Sequence, residues 1–168
     1  IAGQSGRTKK FYDEYSYDKE YMGVGSYLKK GMLINLDYIY SDITNSTGKD
    51  PVDYDAAYNS PKFFKTLATN AITGEPRYFT KADIERDEYT LFKACCAIPV
   101  ACRKPIKFKG EEFFDGGLSD PFPIDTAFAD GCEKLIVCIT QPIDFRKEPM
   151  TEWLVKLTMR KYPVLRDR

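Results

Sequence analysis

The chain is 168 residues long, with 25 Lys and Arg against 25 Asp and Glu and no histidine. A balanced charge provides no global field for nucleic acid or an anionic bilayer, so any membrane contact has to be local. Within these residues the missing histidine excludes Ser-His-Asp and Cys-His catalysis and the HExxH zinc sites.

In chain order, residues 1–7 are expected to be the tail of a helix, and Gly3-Gln4-Ser5-Gly6-Arg7 is a near miss to a G-x-S-x-G elbow, with Ser5 read as a helix-end residue. Tyr12, Tyr15, Tyr17, Tyr21 and Tyr27 follow in a segment that also holds Asp13, Glu14, Asp18 and Glu20, which favours a packed surface cap over a base-stacking platform. Met32, Leu33, Leu36, Ile39, Tyr40 and Ile43 have the spacing of one face of an amphipathic helix. Asp50, Asp53 and Asp55 lack the glycine and terminal glutamate of a calcium loop and are read as turn and capping residues. Residues 65–69 and 77–80 flank Thr73-Gly74-Glu75-Pro76 as paired strands, and Asp83 to Cys96 is predicted to be a helix.

Residues 104–114 form a charged hairpin-like stretch, and its second strand ends in Phe113-Phe114-Asp115-Gly116-Gly117. An aspartate at a strand's mouth, followed by two glycines that permit a turn or a close backbone approach, is placed for chemistry. Asp-Gly is also a common hairpin-turn signal, so the dipeptide alone leaves both readings open. Pro123 is predicted to start a short helix that Gly131 ends, and Leu135 to Thr140 to be a strand buried on both faces. Met150 to Tyr162 is expected to be a basic C-terminal helix on the surface. Strand, helix, strand order makes the chain α/β.

The five cysteines, Cys95, Cys96, Cys102, Cys132 and Cys138, lack zinc-ribbon or thioredoxin spacing and are read as reduced thiols in a cytoplasmic setting, Cys138 as a buried hydrophobe. No apolar run reaches the length of a spanning helix.

From residue 63 to residue 141, the order of Thr66-Leu67-Ala68-Thr69-Asn70-Ala71-Ile72-Thr73-Gly74-Glu75-Pro76, then Ala94-Cys95-Cys96-Ala97-Ile98-Pro99, the hairpin, Asp115-Gly116-Gly117 and Asp120-Pro121-Phe122-Pro123-Ile124 resembles the patatin-like phospholipases. The N-terminal third is similar to a Tyr-rich variant in bacterial members. The resemblance implies a three-layer α/β/α fold, here lacking its N-terminal strands and nucleophile elbow. Residues 1–62 would be a helical cap-like region, 63–141 the sheet region and 142–168 the C-terminal basic helix.

It also implies a lipid acyl hydrolase with a Ser-Asp dyad, which suits a chain without histidine. Asp115 would be the base, Gly116 and Gly117 its positioning residues, and Asp120 a turn or cap residue. The serine and its oxyanion loop are expected upstream of Ile1, so these 168 residues alone are expected to be inactive and to be bound to the missing N-terminal segment, self-associated or poorly soluble. Ile34, Leu36 and Phe122 are candidates to line an acyl groove. The implied substrate is a lipid or small ester, with peripheral membrane contact, no nucleic-acid partner, no cofactor and no metal. Two other readings stay open: a noncatalytic interaction module derived from this fold, and an unrelated α/β binding domain in which Asp115-Gly116 is only a turn.

Overall fold

A computed structural model describes residues 3–139, 142, 144 and 159–166. Helices α1 (Gly6–Asp13), α2 (Val24–Lys30) and α3 (Tyr54–Asn59) precede a hairpin of β1 (Lys65–Asn70) and β2 (Pro76–Thr80). Then come α4 (Thr90–Cys95), a second hairpin of β3 (Ile106–Phe108) and β4 (Glu111–Asp115), α5 (Ile124–Ala129) and the short α6 (Pro163–Arg166). The chain is α/β, and the four strands among the described residues form one sheet in the order β2-β1-β4-β3 with every pairing between them antiparallel.

Both hairpins follow from local chemistry. Gly74 at φ +74° closes the first, while the Asn70 side-chain oxygen accepts from the Ile72 and Thr73 amides at 2.9 and 3.0 Å. Lys109 and Gly110, at φ +47° and +81°, close the second as a two-residue turn with left-handed backbone at both positions. Lys65 pairs with Thr80 and Ile106 with Phe113, and Ala68 on β1 faces Asp115 on β4.

Neighbouring side chains of a strand point to opposite faces. Phe113 therefore joins Ala68, Phe79, Leu91 and Ala94 beneath α4, whereas Phe114 joins Leu36, Ala71, Ala97, Cys102, Met159 and Leu165. A third cluster of Tyr15, Tyr38 and Ile43, with Phe11 and Tyr21 against it, packs part of the Tyr-rich segment. Tyr12 and Tyr17 stay exposed.

Several elements differ from expectation. The helix predicted to end near Arg7 begins at Gly6, with Ser5 before its first turn. Its entry is fixed from a distance: the Gln4 side chain bonds Pro51 and Asp53, and Arg7 donates to the Asp50 carbonyl. The amphipathic helix expected from Met32 starts only at Leu36 and widens into a π-helical turn over Tyr38–Ile43. Met32 and Ile34 are instead extended, bridging Cys102 and Met22.

The helix predicted from Asp83 forms only over α4. Asp83 closes a capping box with Thr80, and Asp87 takes φ +63° while its carboxylate accepts from the Ser46 amide and hydroxyl at 2.6 Å. A left-handed residue breaks the helical path.

Residues 135–139 are not a strand. Ile136 is 95% exposed and Cys138 is exposed, because a doubly buried strand needs ladder partners, and none pairs with this run among the described residues. Thr140 and most of the helix expected over 150–162 lie outside the described residues; 159–161 are turn-like. Pro123 does precede a helix, and Gly131 follows it at φ +92°. Asp53 caps α3 by accepting from the Ala56 amide at 2.9 Å. Among the described residues no helix is long and apolar enough to cross a membrane.

Candidate active site

Asp115 is the last residue of β4 and the N-cap of a 3-10 turn over Gly116–Leu118. It therefore leads out of the sheet rather than back into a hairpin. Its carboxylate accepts from the Gly117 amide at 2.7 Å, and its own amide donates to the Ala97 carbonyl at 3.0 Å. The carboxylate is thus oriented by its own turn, and the main chain is tied to the segment that leaves α4.

The glycines have different local reasons. A Cβ on Gly116 would meet the Leu67 carbonyl oxygen at 2.5 Å and Leu67 Cγ at 2.7 Å. The turn can therefore lie against β1 only without a side chain. A Cβ on Gly117 would meet only the Asp115 carboxylate oxygen, at 3.0 Å.

Behind the turn sits a polar brace in an otherwise apolar layer. Thr69, fully buried on β1, donates to the Asp115 carbonyl at 2.8 Å and shares a hydrogen bond with the Ser119 hydroxyl at 2.8 Å. Farther along, Tyr78 donates to Asp120 at 2.5 Å and receives a bond from Thr126 at 2.9 Å, which gives Asp120 the part of an anchor.

Asp115 lies in the wall of a cavity of about 580 Å³. Ile34, Leu36, Ile39, Tyr40, Phe92 and Ile98 contribute apolar wall, and Phe11 and Tyr15 approach from the N-terminal segment. Ile34 and Leu36, two of the candidates for an acyl groove, both line this cavity. Phe122 is not part of this wall and is half exposed on the surface. Phe11, Phe92 and Ile98 were missed because they come from separate elements, although the Ile98-Pro99 step was a usable signal. Thr69 was missed too, and its signal was a polar residue in the middle of an apolar strand.

Burial governs the titration of the neighbouring groups. The Tyr40 phenol is raised well above its ordinary value, first by burial and then by Cys96, whose sulfur is 3.2 Å from its oxygen. Cys95 and Cys102 are both pushed up to about 11, by burial and with the negative charge of Asp115 adding to it. Cys96 is raised for the same reasons. These thiols are therefore protonated at neutral pH and poor nucleophiles. Among the described residues, no cluster of acidic or cysteine side chains could hold a metal ion.

The arrangement is a positioned carboxylate at the edge of an apolar cavity, flanked by protonated hydroxyl and thiol groups. It can take a proton from a hydroxyl brought to it and can hold an aliphatic chain beside it. The "Uncharacterized protein YjjU" of Escherichia coli (strain K12) is 26% identical over 162 residues, an alignment covering 92% of this chain and 44% of that protein. The chain thus spans less than half the length of this relative. No solved structure matches. The family model for the patatin-like phospholipases matches residues 44–128, from the end of the π-helical turn through the hairpins and Asp115-Gly116-Gly117 to α5. The chain belongs to the patatin-like phospholipase family.

Proposed function

We propose that the protein is a lipid acyl hydrolase in which Asp115 is the general base for a serine nucleophile carried by a segment outside these 168 residues. The observation that carries this reading is the position of Asp115 in the wall of the apolar cavity. Residues 1–168 contain no G-x-S-x-G sequence, and the alignment with YjjU covers 44% of that protein, which leaves room for the elbow elsewhere.

In the proposed reaction the serine hydroxyl attacks the ester carbonyl as its proton passes to Asp115. Collapse of the tetrahedral intermediate expels the alcohol, which takes that proton, and leaves an acyl-serine. Water then gives a proton to Asp115 as it attacks the acyl group, and collapse of this second tetrahedral intermediate releases the acid while Asp115 returns the proton to the serine oxygen. The hydrogen bond from Gly117 holds the carboxylate in one orientation through both halves. Gly116 and Gly117 are positioning residues, and the cavity takes the acyl chain.

A fluorophosphonate probe tests the assignment in the full-length protein. It is expected to label one serine outside residues 1–168, and Asp115→Asn is expected to slow labelling without unfolding the protein. Labelling of Ser5 or Ser119, or an unchanged rate in the Asn variant, contradicts it.

A further inference from the structure

We propose that the face built from α2 and residues 31–34 and 98–104 docks on an anionic lipid bilayer beside the mouth of the cavity. The apolar part is exposed without a partner among the described residues: Val24 is 68% exposed, Leu28 67%, Met22 49% and Ile98 47%. The segments that carry these residues adjoin. Met22 bridges Ile34 and Met32 bridges Cys102, while the Leu33 amide donates to the Ala101 carbonyl at 2.7 Å and the Arg103 amide to the Gly31 carbonyl at 2.8 Å. The Arg103 guanidinium lies 4.2 Å from the centroid of the Tyr27 ring, joining the two segments through their side chains.

Charge identifies the partner. In a chain of zero net charge, residues 21–36 and 89–110 contain no Asp or Glu, and this face carries Lys29, Lys30, Arg103 and Lys104, all exposed. None of these cations has an ion-pair partner among the described residues. The acids that flank residues 21–36 are engaged elsewhere, Glu20 with Lys49 at 3.7 Å and Asp37 with Lys93 at 2.8 Å. Exposed aliphatic side chains on segments that also carry cations without ion-pair partners match a bilayer's acyl boundary and its anionic headgroups. A purely apolar partner would leave the cations unused, and a polar acidic partner would leave Val24 and Leu28 in water.

Position ties the face to the cavity. Ile34 and Ile98 lie on the docking segments and also line the cavity that holds Asp115. A lipid leaving the bilayer at this face would enter at those side chains, a link that rests on the reading of Asp115 as the base. The surface itself does not depend on that reading.

Sedimentation with vesicles of phosphatidylcholine, with and without phosphatidylglycerol, tests the proposal on the full-length protein. The protein is expected to bind the anionic vesicles more tightly than the neutral ones and to be released by high salt. Lys29→Gln and Lys104→Gln should each weaken binding by about fivefold. Val24→Ser and Leu28→Ser, at exposed positions that do not support the core, should each weaken it by about tenfold. Asp115→Asn should bind like the unaltered protein, so loss of hydrolysis and loss of docking are read separately. Equal binding to both vesicle types, or unchanged binding by Leu28→Ser, overturns the proposal.

Discussion

The Thr69 hydroxyl on β1 donates a 2.8 Å hydrogen bond to the main-chain carbonyl of Asp115 on the adjacent strand. Thr69 is fully buried and its hydroxyl also meets that of Ser119, so one side chain joins the strand to both ends of the following turn. Thr69→Val keeps the shape and removes the donor, at a cost of about 1–3 kcal/mol for the polar groups left unpaired. Urea denaturation should show that loss. Thr69→Ser should restore most of the stability, and a Val variant as stable as the parent contradicts the brace.

The paired glycines should respond differently to alanine. Gly116→Ala forces a methyl into the Leu67 backbone and should destabilise the protein by about 1–3 kcal/mol. Gly117→Ala meets only the Asp115 carboxylate, so it should leave thermal stability nearly unchanged while lowering kcat in ester hydrolysis. Thermal melts of the pair, alongside initial rates, check the contrast.

Alkaline pH should weaken the fold through its thiols. Cys95 and Cys102 are raised from 9.0 to about 11 by burial. The folded protein therefore holds these protons where the unfolded chain loses them. Their contribution is fully present below pH 9 and is lost as pH rises toward 11. Cys102→Ala should flatten the decline across that window, measured by denaturation at stepped pH, whatever its effect on stability at neutral pH.

The same protonation predicts that iodoacetamide under native conditions leaves ester hydrolysis by the full-length protein intact. A fluorophosphonate should abolish it. Inactivation that tracks modification of Cys95 or Cys96 contradicts a serine nucleophile.

What was legible in the sequence was local. Gly74 marks a turn by backbone preference, Pro123 and Gly131 bracket α5, and the Asp53 cap needs only its own helix. Asp115 stood out because its apolar strand and two glycines are contiguous. Elements set by distant partners were not legible. The helix expected from Asp83 is interrupted by a contact from Ser46, and the 135–139 run lacks the ladder that its apolar pattern presupposes. The cavity wall joins Phe11, Tyr40, Phe92 and Ile98, whose meeting is a property of tertiary packing.

The central claim is that Asp115 accepts the proton of the attacking serine. Asp115→Asn preserves the size of the side chain and an oxygen able to accept from Gly117, but it does not take a proton. Turnover of a p-nitrophenyl ester by the folded, full-length Asn variant is predicted to fall by about 10²–10⁴-fold. Turnover near that of the unaltered protein would contradict the account.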